Sequence, residues 1–182
     1  MIFGYGNPSR GDDALGPLML QHLEILKPCH GWHRIELLSD YQLQVEHALD
    51  LLNCRLVLFI DASVSCVAPY RFERLQEKRD DSYTSHAMSP AAVLYTYRQL
   101  YHCSPPPTYL LSVLGERFEL GESLSPSASA HMQRALRLAE RVCRQAQLGN
   151  GPVYCEQLTQ TLDQETGGGD QESERMSRVS DA

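Results

Sequence analysis

The sequence predicts an α/β fold, a single three-layer sandwich in which a mostly parallel, twisted sheet is flanked by helices. Three observations carry this. Short strand-like segments alternate with segments of helical period through residue 148. The run Leu56-Val57-Leu58-Phe59-Ile60 is apolar without interruption, as a central strand buried on both faces requires. The chain of 182 residues, 42% hydrophobic and 21% charged, suits one globular domain with a tail rather than two domains.

Each element has its own signal. Met1-Ile2-Phe3 reads as the end of a first strand and Gly4-Tyr5-Gly6-Asn7 as the turn after it. Leu15, Leu18, Met19, Leu23 and Leu26 recur at helical spacing over residues 14–27, and Pro28 with Gly31 should end that helix. Residues 34–38 alternate as a strand, and Val45, Ala48, Leu49 and Leu52 mark a second helix. The apolar run 55–60 follows and stops at Asp61, and residues 70–75 alternate as an outer strand. Ser89-Pro90 opens a third helix carried by Val93, Tyr97, Leu100 and Tyr101, with Ser as cap and Pro in the first turn. Residues 109–114 give a last strand, and Ser125-Pro126 repeats the cap device before a final helix with Ala128, Met132, Ala135, Leu136, Ala139, Val142 and Cys143 on one face.

The domain so predicted spans residues 1–148. Residues 149–182 turn to Gly, Gln, Glu, Asp, Ser and Thr, and are expected to form a disordered acidic and polar tail whose deletion leaves activity intact.

Charge and cysteine usage narrow the function classes. A formal net charge of -7 repels a phosphate backbone, so nucleic acid is not an expected partner. The six cysteines stand singly, without a C-x-x-C pair, and are expected as reduced thiols. No export signal and no apolar run of about 20 residues is present. A cytoplasmic monomer without a membrane partner is the expectation.

Chemistry concentrates in Gly4-Tyr5-Gly6-Asn7-Pro8-Ser9-Arg10-Gly11-Asp12-Asp13. In a parallel sheet this turn lies at the carboxyl edge, where ligands bind. A nucleotide-binding fold is the first alternative, but the third glycine of G-x-G-x-x-G would fall at Ser9. One aspartate can cap the following helix and the other can favour its dipole, yet two carboxylates exceed that need. Asp61 ends the most apolar strand and should reach the same edge. Of seven histidines, His22, His47 and His131 fall within helices, His30 and His33 in a turn, and His102 after a helix; His86 alone lies in a loop feeding the edge. Two carboxylates and an imidazole from three loops could form an O,O,N metal site with open positions. Other nucleophiles lack support: G-x-S-x-G and H-E-x-x-H are absent, and Ser63, Ser65 and Cys66 have no recognisable base.

Four segments in order carry a resemblance: residues 4–16, Phe59-Ile60-Asp61-Ala62, Ser85-His86 before a helix, and residues 119–126. Through about residue 146 the chain resembles the [NiFe]-hydrogenase maturation proteases. The resemblance implies a nickel-dependent endopeptidase that removes the C-terminal extension of the hydrogenase large-subunit precursor after nickel insertion. Asp13, Asp61 and His86 would be the catalytic and metal-contacting residues, with Asp13 preferred over its neighbour Asp12. The nickel would be supplied by the precursor. It could polarise the scissile carbonyl or a bound water, or serve recognition alone while a carboxylate acts as base. Residues 39–51 look closest to members serving soluble, NAD-linked hydrogenases, whereas the first strand is shorter than the family's. A non-catalytic scaffold that binds the nickel-loaded precursor would need the same three residues, and is distinguished by binding without cleavage.

Overall fold

Five strands, β1 (Ile2–Tyr5), β2 (Leu37–Asp40), β3 (Val57–Ser63), β4 (Tyr70–Leu75) and β5 (Thr108–Leu114), form one sheet in the order β2-β1-β3-β5-β4. They belong to a computed structural model, which describes residues 1–79 and 88–177, with side chains described to residue 164. Neighbours pair in parallel except β4, which closes the edge antiparallel to β5. Helices α1 (Leu15–His30), α2 (His47–Asp50), α3 (Pro90–Tyr101), α4 (Pro126–Gln147) and α5 (Gly151–Ser177) complete the chain. This is the α/β architecture that the sequence predicts.

Strand parity builds the layers, because successive side chains point to opposite faces. Ile2, Leu58, Ile60, Tyr109, Leu111 and Val113 pack on one face with Leu15, Met19 and Leu23 of α1, Leu136, Ala139 and Val142 of α4, and Cys155 of α5. Phe3, Val57 and Phe59 take the other face with Ala48 of α2 and Val93, Leu94 and Tyr97 of α3. Each Val, Leu, Ile, Phe or Met side chain among them, fully buried, contributes about 1.5–3 kcal/mol. Both Ser-Pro starts hold: Ser89 accepts the Ala92 amide at 3.1 Å and Ser125 the Ala128 amide at 3.1 Å.

Several boundaries differ from the sequence reading. β1 runs through Gly4 and Tyr5, so the turn begins at Gly6. α1 passes through Pro28, which sits in its exposed last turn, and ends where Gly31 takes φ 62°. β2 lies at 37–40 rather than 34–38, and α2 is a single turn. β3 continues past Asp61, because β5 is long enough to pair Asp61 with Ser112, Ala62 with Val113 and Ser63 with Leu114.

The expected tail begins with a helix. Cys155 is buried on the α1/α4 side, and Tyr154, Leu158 and Leu162 pack against it. Glu156 accepts from the Tyr109 hydroxyl at 3.0 Å and pairs with Arg74 at 2.7 Å, tying α5 to β5 and β4. Spaced at three and four, Tyr154, Cys155, Leu158 and Leu162 form a short apolar stripe that the polar composition of 149–182 obscures. No helix among the described residues is long and apolar enough to cross a membrane.

Candidate active site

The sheet order places a switch point between β1 and β3. The chain leaves β1 for β2 on one side by way of α1, and leaves β3 for β4 and β5 on the other, with α3 on the opposite face. Connections that diverge in this way open a crevice at the carboxyl ends of the two strands. Asp13 stands in the single 3-10 turn Gly11–Ala14 that follows the loop after β1, and Asp61 lies one residue beyond Ile60, the last β3 residue paired with β1.

Glycines let the loop fold into the crevice. Gly6 has φ 137°, and a Cβ there would stand 2.0 Å from the Asp13 carbonyl oxygen. At Gly16, in the first turn of α1, a Cβ would meet the carbonyl oxygens of Tyr5 at 2.5 Å and Ile60 at 2.8 Å. Only glycine lets α1 start against both Tyr5 of β1 and Ile60 of β3. The chain therefore needs its small residues here to bring the Asp13 loop beside Asp61.

The adjacent aspartates do different work. Asp12 is fully buried and accepts the amides of Glu116 at 2.7 Å, Arg117 at 3.0 Å and Ser125 at 2.6 Å, with the Ser125 hydroxyl at 2.8 Å. Burial pushes its carboxyl pKa up, but the amides of Ser125, Glu116 and Arg117 together with the Ser125 hydroxyl outweigh that and hold it below the usual carboxylate value. It is neither a helix cap nor open to ligand. Asp13 is only half-buried, and its Oδ2 accepts the Asn7 amide at 2.8 Å.

Asp61 accepts the Tyr5 hydroxyl on Oδ2 at 2.8 Å. Burial drives its pKa upward and the charge of Asp13 adds to this; the Tyr5 hydroxyl and the Ala62 amide oppose it, leaving the carboxyl at about 6. Tyr5 itself is pushed well above 10, by burial and then by the Asp61 charge, so its hydroxyl remains a proton donor.

His86 lies outside the described residues. Among those described, no three His, Cys, Asp or Glu side chains gather as a metal cluster. His47 has both ring nitrogens engaged, Nδ1 accepting the Gln44 amide at 2.8 Å and Nε2 lying 3.3 Å from Asp40. Ser63 Oγ accepts the Ser65 and Cys66 amides as a turn, and Cys66 Sγ donates to the Ser112 carbonyl at 3.4 Å while burial pushes its thiol pKa up. Neither is poised as a nucleophile. All six cysteines are free.

Two features escaped the sequence reading. Tyr5 looked like a turn residue, although its parity with Phe3 and the nearness of β3 would have aimed it at Asp61. The Asp12–Ser125 link joins residues 113 positions apart, and only the co-occurrence of the two segments hinted at it.

The fold and the acidic pair at its switch point define an α/β protein with a carboxyl-edge site. No family model and no curated protein matches the sequence. Among solved structures, the chain is similar to the hydrogenase maturating endopeptidase HybD from E. coli, at 24% identity and TM-score 0.61 over 80% of this chain and 91% of that one. It is likewise similar to the [NiFe] hydrogenase maturation protease HycI from Thermococcus kodakarensis, at 22% identity and TM-score 0.54 over 79% and 88%. An endopeptidase from Escherichia coli shares 24% identity and TM-score 0.58 over 76% and 88%. The chain shares the fold of these three proteins.

Proposed function

We propose that this chain is a [NiFe]-hydrogenase maturation protease, an endopeptidase that removes the C-terminal extension of the large-subunit precursor after nickel insertion. The observation that carries this reading is the convergence of Asp13 and Asp61 at the β1/β3 crevice, on the fold of proteins named for that activity. Nickel arrives within the precursor as part of the substrate and is read by Asp13, Asp61 and His86.

The chemistry follows from the donor set. Oxygen and imidazole ligands suit a divalent first-row ion. Held there, the ion can polarise the scissile carbonyl or acidify a water. Asp61, at about 6, is ionised at neutral pH yet basic enough to take a proton from an attacking water, the alternative in which nickel serves recognition only. Asp12 is excluded from either role by its four hydrogen bonds, and its part is to hold the Asp13 loop.

Intact-mass analysis of a large-subunit precursor, with and without nickel, tests the reading. Loss of a C-terminal fragment is expected only with nickel and only with the unmutated chain, not with Asp13→Ala. An uncut, verified cognate and nickel-loaded precursor would overturn it.

A further inference from the structure

We propose that Tyr5 is a positioning residue for the candidate site, its hydroxyl fixing the orientation in which Asp61 meets nickel; this rests on the reading of Asp61 as a nickel-contacting carboxylate. Tyr5 and Asp61 sit on adjacent strands and point to the same face, two residues beyond Phe3 and Phe59 respectively. The Tyr5 hydroxyl reaches Asp61 Oδ2 at 2.8 Å across that step.

The ring delivering this hydroxyl is itself held. Phe3 stands edge-on to it with centroids 6.4 Å apart, and Phe59 does the same at 6.4 Å. Phe3 and Phe59 are fully buried, so the aromatic platform belongs to the core rather than to a surface loop. A carboxylate engaged through one oxygen cannot rotate freely, and its remaining coordination capacity faces a fixed direction. Such partners of ligating carboxylates commonly tune metal affinity or activity by about 10–100-fold. Asp13 follows the same pattern, its Oδ2 held by the Asn7 amide. Both carboxylates thus enter the crevice already anchored by the protein, Asp13 through the Asn7 backbone amide and Asp61 through the Tyr5 hydroxyl together with the Ala62 amide.

The test is a calorimetric titration of the full chain with Ni2+ alone, comparing the unmutated protein with Tyr5→Phe, Tyr5→Leu and Asp61→Ala, with thermal melting of each. Asp61→Ala should abolish nickel uptake. Tyr5→Phe and Tyr5→Leu should each weaken it by about 10–100-fold. Only Tyr5→Leu, which also removes the packed ring, should lower the melting temperature substantially. On nickel-loaded precursor, Tyr5→Phe should reduce kcat with little change in KM.

Nickel affinity that is retained in Tyr5→Phe and lost in Tyr5→Leu would follow packing rather than the hydroxyl, and would overturn the proposal. Unchanged affinity in both Tyr5 variants, with binding lost in Asp61→Ala, would also overturn it while leaving the Asp61 reading intact. Nickel binding by Asp61→Ala equal to that of the unmutated chain would remove the Asp61 reading itself, and this inference with it.

Discussion

The Asp12 carboxylate takes two hydrogen bonds from one residue 113 positions away in the sequence, the Ser125 amide at 2.6 Å and the Ser125 hydroxyl at 2.8 Å. Ser125 also caps α4 through the Ala128 amide. The β5–α4 connection, the start of α4 and the loop carrying Asp13 are therefore one hydrogen-bonded unit, reinforced by Gly11 and Asp12 amides bonding to the Glu122 and Arg117 carbonyls. The segments around residues 10 and 122, far apart in sequence, meet through these hydrogen bonds.

Removing that carboxylate should cost stability first and activity second. Asp12→Ala leaves three amides and a hydroxyl in a buried place without their acceptor, and a loss of about 3–5 kcal/mol is expected. Because the folded-state pKa is lowered, the contribution is present above the usual value of 3.8 and is lost as pH falls through the folded value. Urea unfolding at neutral pH checks the magnitude. A change under about 1 kcal/mol would show that Asp12 is no strut.

Gly6 controls the reach of the same loop. An alanine there must adopt φ near 137° and intrude on the Asp13 carbonyl, so the loop has to move. Gly6→Ala should destabilise by about 2–4 kcal/mol. A 1 Å displacement of a site residue can cost about 100-fold in rate, so precursor cleavage should fall by at least about that factor in whatever protein remains folded. Wild-type cleavage by a well-folded Gly6→Ala chain would contradict the role assigned to this turn.

How far these relationships were legible in the sequence follows from their range. β3, α3 and α4 were readable because each carries its signal locally: an unbroken apolar run, and a Ser-Pro start ahead of a helical period. The carboxyl-edge placement of Asp13 and Asp61 was also readable, since strand ends and parallel topology suffice for it. The partners were not. Tyr5 finds Asp61 only once β1 and β3 are neighbours, and Asp12 finds Ser125 only once the β5–α4 connection folds across the first loop. The start of α5 was missed for another reason: its stripe of Cys155, Leu158 and Leu162 is short and diluted by Gln, Thr and Glu, and it is decided by the sheet and helix it meets.

That helix changes the expected effect of truncation. Ending the chain at residue 149 removes buried Cys155 and the packing of Tyr154, Leu158 and Leu162, and takes the acceptor from Tyr109, which is 1% exposed. The expected loss is at least about 3 kcal/mol, seen as a lower urea midpoint. Glu156→Ala isolates the polar part and should cost about 1–3 kcal/mol, while Glu156→Gln, which keeps an acceptor for the Tyr109 hydroxyl, should cost less. Equal stability of the truncated and full chains would show that α5 adds nothing to the core.

Asp61 should separate stability from function in the opposite sense. Its carboxyl is raised from 3.8 to about 6 by burial and by Asp13, so the folded state takes up a proton more readily than the unfolded chain. Its contribution to stability is complete below about 3.8 and is lost as pH rises through about 6. Above that window the ionised carboxylate is a burden of at most about 3 kcal/mol, by the conversion of a two-unit shift. Asp61→Asn cannot ionise and keeps an oxygen for the Tyr5 hydroxyl. It should therefore melt higher than the unmutated protein at pH 7.5, with the difference closing between pH 6 and pH 4. The same variant should lose nickel-dependent cleavage of the precursor. A gain in stability joined to a loss of activity marks a carboxylate kept for chemistry rather than for folding. Identical melting temperatures from pH 4 to 7.5 would show that Asp61 is not held in the raised state from which this argument starts.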